Sequence, residues 1–215
     1  TISGGYLNAI VGGSGNTTSD RAGFIGSGIN NAVDFLGTVA GGCCNYAYIR
    51  SSVGGGSYNS ANSNYSTISG GYGGTSSGGF SSIIGGYSNI ASGGCSTIGG
   101  GRLNCATGCI SFIGGGFGNK ATNIYGVISG GLRNTASGVY ATIGGGHDHT
   151  ASSNATVGGG VSNTASGNYS VIAGGVGNST SGSGYFATIG GGQGNQSNYQ
   201  GTTVGGGVGN LATIG

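Results

Sequence analysis

Few side chains in this 215-residue chain can do chemistry, and their types and spacing bound what that chemistry is. Eight are charged at pH 7: Arg21, Arg50, Arg102, Arg133, Lys120, Asp20, Asp34 and Asp148. The net charge is +2, and Glu is absent. General acid/base catalysis needs titratable groups that converge on one substrate, and aspartates at 20, 34 and 148 make no such cluster. The chain is therefore expected not to be an enzyme and to use no cofactor. The five cations are scattered, which leaves no footprint for nucleic acid. No apolar run approaches the roughly 18 residues of a membrane span, so membrane insertion is not expected.

Two histidines and five cysteines complete the reactive set. His147-Asp148-His149 has ligand chemistry, and strict alternation would put both imidazoles on one side. The same stretch reads equally as a variable turn in which His149 replaces a recurrent Asn, and no metal is assigned to it. Cys95 and Cys109 hold nearly equivalent places in neighbouring repeats, close enough for a bridge if the register shifts by one. Cys43, Cys44 and Cys105 sit on or after turns, solvent-facing or interchain. Small residues tolerated in a β-roll explain all five as well, and no Cys-His pairing marks a nucleophile. Tyr6, Tyr72, Tyr87 and Phe117 fall at one repeat position and could form a flat aromatic edge for sugar rings, or else cover corners or an oligomer seam. Sequons at Asn16, Asn64, Asn154, Asn168, Asn178 and Asn195 arise readily in a chain so rich in Asn, Ser and Thr, and matter only in a eukaryotic secretory setting.

The elements that position these residues follow from composition and period. Gly fills 58 positions and Pro none, against ~7% Gly in an average domain. An ordinary packed core is thereby excluded, and so is collagen, which needs Pro and a strict three-residue period. Disordered chains are charged and poor in β-branched residues, whereas here an Ile or Val recurs two residues before a Gly-Gly pair. That anchor is Ile2, Ile10, Ile25, Val39, Val53, Ile68, Ile83, Ile98, Ile113, Ile128, Ile143, Val157, Ile172, Ile189 and Val204. Spacings of 14 or 15 predominate, with an 8 at the start and one 17. About fifteen units fill residues 1–215 as a single array. With no initiating Met and a repeat cut at Ile214-Gly215, a fragment of a longer fibrous protein is expected.

Counting from the anchor as zero, plus two and plus three are Gly in nearly every unit, plus six is usually Asn, and plus eight is small, most often Ala. Minus three is bulky: Tyr65, Phe80, Cys95, Ile110, Tyr125, Tyr140, Tyr169, Phe186. Tyr140-Ala141-Thr142-Ile143 alternates as a strand does. Gly-Gly turns the chain through dihedrals closed to other residues. Asn, tolerant of left-handed geometry, is expected to mark the second corner and to bond from unit to unit. Each unit is too short for a helix pair and suits one coil of an all-β, parallel β-solenoid with two short strands per coil. At about 4.8 Å per coil the array would reach ~70 Å.

The run Asn163-Thr164-Ala165-Ser166-Gly167-Asn168-Tyr169-Ser170-Val171-Ile172 resembles the head repeats of trimeric autotransporter adhesins (YadA-like), which also occur in phage tail fibres and large-virus surface proteins. The resemblance implies a left-handed β-roll, three chains side by side and attachment to surfaces. In such a trimer His147 and His149 of three chains would converge on the axis, similar to the iron sites of some phage fibre tips. The expected function is thus a structural or adhesive fibre, extracellular or on a cell or virion surface. Its expected partners are further copies, as a homotrimer or bundle, and cell-surface glycan. An ice-binding solenoid, suggested by Thr67, Thr97, Thr142, Thr156 and Thr188 before the anchors, is the alternative. Contacts are expected along the variable corner at plus four and plus five, through Tyr72, Tyr87, Arg102, Phe117, Arg133 and His147.

Overall fold

The computed structural model describes residues 2–3 and 6–213. It forms two compact units, Thr1–Thr107 and Gly108–Gly215, each a parallel β-solenoid. Every strand is two residues long. In the first unit the anchor strands run from Ala9–Ile10 to Thr97–Ile98, and those of the second sheet from Ile2–Ser3 to Cys105–Ala106. In the second unit the corresponding runs are Phe112–Ile113 to Thr203–Val204 and Lys120–Ala121 to Leu211–Ala212. Register is kept by position: Ile68 pairs with Val53 and Ile83, and Ala136 with Ala121 and Ala151. A third, one-residue ladder links the plus-four residues, as in Ser57, Tyr72, Tyr87 and Arg102. Each coil therefore has three pairing sites, where the repeat predicts two.

The interior is built from thin layers. Ile25, Ile68, Ile83, Ile98, Ile113, Ile128, Ile143, Ile172 and Ile189 are fully buried, facing the plus-eight alanines such as Ala61, Ala91, Ala121 and Ala136. Minus two is interior as well, and is held to small residues, Ser66, Ser81, Ser96, Ala141, Ala155 or Ala187. One branched aliphatic and two small residues per coil leave a narrow interior, so much of the stabilisation falls to ladder hydrogen bonds.

The plus-six asparagines supply the most regular of these. Asn45 Nδ2 donates to Gly41 O at 3.0 Å in its own coil and to Gly56 O at 2.8 Å in the next. Its Oδ1 accepts the Asn59 backbone N–H at 3.0 Å. Asn59, Asn119, Asn134, Asn163, Asn178 and Asn195 repeat the pattern. These asparagines are buried, as a fully bonded amide can be.

Two expectations are corrected here. Ile2 is not an anchor: Ile2 pairs with Thr17 and Ser3 with Thr18, which are plus-seven and plus-eight residues of the next coil. The eight-residue spacing after it is half a coil. Tyr6 accordingly belongs to the minus-four corner, its carbonyl accepting from Ala22 N, and does not share a row with Tyr72. The left-handed corner is also not the ladder Asn. Positive φ falls on plus three, as at Gly42 (φ 92), on plus five, as at Tyr58 (φ 57) and Arg133 (φ 53), and on minus three, as at Tyr65 (φ 58) and Ile110 (φ 55). The Asn amide bonds only because the residue before it takes the turn.

Candidate functional site

A left-handed Tyr, Phe or Ile costs on the order of 1–2 kcal/mol, so the bulky minus-three row needs a compensating interaction. Its backbone is held by the ladder, for example Phe80 N to Asn64 O at 3.0 Å and Tyr140 N to Ile124 O at 3.0 Å. Its side chains stand outward in register and stack. Tyr65 and Phe80 lie 4.9 Å apart at 10°, Tyr125 and Tyr140 4.8 Å at 3°, and Tyr169 and Phe186 5.2 Å at 10°. Each such pair contributes roughly 0.5–1.5 kcal/mol beyond buried area, which offsets part of the strain of its two left-handed residues. Arg50 extends the first stack, its guanidinium 5.5 Å from the Phe35 ring and 5.8 Å from Tyr65.

The plus-four and plus-five corner makes a second outward row in each unit. In the first, Tyr72 and Tyr87 stack at 5.2 Å and 5°, Arg102 covers Tyr87 at 5.1 Å, and Tyr58 meets Tyr72 at 5.4 Å with a 56° tilt. In the second, Phe117, Leu132, His147 and Val161 follow one another in the ladder. Arg133 Nε donates to Asp148 Oδ1 at 2.8 Å and its Nη2 to Oδ2 at 2.7 Å, while His147 Nε2 lies 2.8 Å from Arg133 Nη2 and 3.0 Å from Asp148. The hydrogen bonds from Arg133 hold the Asp148 carboxyl below its ordinary range, and Asp148 raises Arg133 in return. Within a unit, the sequence-selected residues are thus neighbours in one row: Tyr72, Tyr87 and Arg102, and separately Phe117, Arg133 and His147. Tyr58 and the Phe35–Arg50 pair were missed. Their signal was available in the register, since Tyr58 at plus five leads directly to Tyr72 at plus four of the next coil.

Ring orientation decides what such rows can touch. The faces of Tyr87 are occupied by Tyr72 and Arg102, and those of Tyr65 by Phe80 and Arg50. Sugar stacking needs an open face, so Tyr87 and Tyr65 offer ring edges and phenol hydroxyls in place of a flat platform.

The two histidines part company. His147 is half-exposed at the edge, whereas His149 is buried in the Asn ladder, because plus six points inward and plus four outward. His149 Nδ1 accepts the Asn163 N–H at 3.0 Å, which fixes the proton on Nε2, and Nε2 is buried without a hydrogen-bond partner. Burial lowers the His149 pKa from its ordinary value. The shared imidazole side expected from alternation is therefore not realised. Among the described residues no group of three or more His, Cys, Asp or Glu is placed to hold a metal ion. None of the five cysteines forms a disulfide, and Cys95 and Cys109 are exposed and the rest half-buried. The sequons divide likewise: Asn16, Asn178 and Asn195 are buried ladder residues, while Asn64, Asn154 and Asn168 reach the surface of the minus-three and minus-four corner.

No family model matches the chain, and no curated protein is detectably similar to it. No helix among the described residues is long and apolar enough to cross a membrane.

Proposed function

We propose that the chain is a structural and adhesive fibre segment that acts by lateral contact and without turnover, in an extracellular, cell-surface or virion-surface setting. The observation that carries this reading is the pair of outward aromatic rows, stacked coil on coil with their edges in water. Tyr140, Tyr169 and Phe186 keep 55%, 50% and 55% of their surface exposed despite stacking. An aromatic side chain carries roughly 150–250 Å², so each ring leaves about 100 Å² to cover, worth ~2.5 kcal/mol at ~25 cal/mol/Å². Stacked rows with their outer edges exposed suit a second row of the same kind, as in a homotrimer or bundle of this chain. The resemblance to trimeric adhesin heads supports the same arrangement, with surface glycan as a further partner reached by the polar corner residues.

Light scattering tests it. The wild-type chain is expected to associate, and Tyr125→Ser with Tyr140→Ser and Tyr169→Ser to weaken association while the β spectrum is kept. Replacing Arg102, Phe117, Arg133 and His147 together with Ser tests the other row in the same way, with binding to glycan-bearing surfaces as a second readout. A wild-type monomer at high concentration would overturn the proposal. A second reading, ice binding, draws on the threonines before the anchors, of which Thr142 and Thr156 pair in register and are partly exposed, and on a second such rank at Thr135, Thr150 and Thr164. Depression of freezing by the monomer would favour it.

A further inference from the structure

Cys43 and Cys44 occupy the plus-four and plus-five corner of one coil, with their sulfur atoms 3.0 Å apart. That is inside ordinary sulfur contact, and the backbone beneath it is fixed. Cys43 sits in the third ladder between Ile29 and Ser57. Its N–H donates to Gly56 O at 3.0 Å and its carbonyl accepts from Tyr58 N at 3.0 Å, while Cys44 N–H donates to Ile29 O at 2.9 Å. Cys44 takes the left-handed conformation of that corner, φ 58. Three backbone hydrogen bonds thus hold the corner that carries two adjacent thiols, half-buried and within reach of solvent.

We propose that Cys43 and Cys44 form a redox site, a vicinal dithiol that closes reversibly to a disulfide by exchange with low-molecular-weight disulfides. One thiolate attacks a sulfur of the small disulfide, forming a mixed disulfide and releasing one small thiol. The neighbouring cysteine, as thiolate, attacks the protein-bound sulfur, and the second small thiol leaves. The protein loses two hydrogens and the small disulfide gains them. Two alternatives fit the geometry less well. Thiolates sharing a tetrahedral zinc at ~2.3 Å sit ~3.8 Å apart, and no third ligand stands nearby among the described residues. A bridge to another cysteine would have to outcompete a partner already at 3.0 Å. Adjacent Cα atoms are ~3.8 Å apart, below the usual ~4.4–6.8 Å of disulfides. The ring is therefore strained and readily reduced, which marks it as switchable and not structural. Tyr58, whose N–H donates to Cys43 O, begins the Tyr58–Tyr72–Tyr87 row, so the thiol pair lies at the end of that row.

Trypsin isolates the pair, because residues 22–50 contain no internal cation and no other cysteine. The folded chain is incubated with oxidised glutathione, quenched in acid, alkylated and digested. The expected product is peptide 22–50 lighter by two hydrogens, unalkylated, and restored by mild reductant. Cys43→Ser and Cys44→Ser should each stop at one bound glutathione, with an unchanged β spectrum. A peptide carrying two alkyl groups, two glutathiones or a bridge to the peptide of Cys95 would overturn the proposal.

Discussion

Replacing His149 with Asn should stabilise the second unit and remove a pH dependence at the same time. His149 occupies a position where Asn makes three hydrogen bonds, and His149 makes one of them, to Asn163 N–H. The missing two are the amide bonds that Asn134 makes to Gly130 O at 3.1 Å and Gly146 O at 3.0 Å. At about 1 kcal/mol per net hydrogen bond, with an orphaned imidazole N–H also relieved, His149→Asn should contribute ~2 kcal/mol at pH 7.5. The pH term has a definite sign. Burial lowers the folded pKa of His149 below the ordinary 6.5, so the unfolded chain takes up the proton first. Its contribution is complete above pH ~6.5 and falls as pH drops toward the folded value, by at most ~1.4 kcal/mol per pH unit. A proton added to Nδ1 would also face the Asn163 N–H donor to donor. The groups closest in charge, His147, Arg133 and Asp148, are kept as they are. Hydrogen exchange of the Asn163 amide, measured between pH 7.5 and 5 and corrected for intrinsic rate, should show protection falling in wild type and flat in His149→Asn. Wild-type slope retained in the variant, or a variant less stable at pH 7.5, would refute the assignment of His149 as a defective ladder residue.

Ile128→Asp places an unpaired charge in a fully buried site and should unfold the neighbouring coils, detected as lost protection at Ile113 and Ile143. Asn134→Ala removes three hydrogen bonds and leaves the His149 N–H, bonded to Asn134 Oδ1 at 3.0 Å, without a partner, for a loss of ~3 kcal/mol in denaturant unfolding. At Tyr140, φ 56, Gly should be tolerated better than Ala by ~1 kcal/mol, because Ala forfeits the Tyr125 stack and keeps the left-handed cost that Gly avoids. Equal stability of the two variants would count against strain at the minus-three row.

The inward rows were legible because burial constrains them to few residue types. Ile at zero, Asn at plus six and Ala at plus eight each recur with one chemistry, and from these the parallel stack and its register follow. The outward rows were legible only as positions. Tyr72 and Tyr87 could be placed in one row from spacing, but that their rings close on each other depends on side-chain rotation about a fixed ladder, which a repeat does not encode. The third ladder escaped because its residues, Ser57, Tyr72, Arg102, Leu132 and Gln193 among them, share no property: one backbone bridge per coil asks nothing of the side chain. His149 was read as a possible partner of His147 because alternation was carried across a corner, where the left-handed Asp148 (φ 57) breaks it.

That same corner explains where variation can collect. A plus-six residue must bond three backbone groups in two coils, and even a histidine, with a nitrogen in the right place, leaves two of those bonds unmade. A plus-four residue makes its ladder bonds through the backbone, so side chains as different as Cys43, Tyr87 and Arg102 in the first unit, and Phe117 and His147 in the second, occupy it at no cost to pairing. Chemistry that is new to a coil, whether a thiol pair, a stacked ring or an Arg133–Asp148 ion pair, therefore accumulates at plus four and plus five. The exchange reaction proposed for Cys43 and Cys44 falls on this corner, and the contact proposed between copies uses it together with the minus-three row.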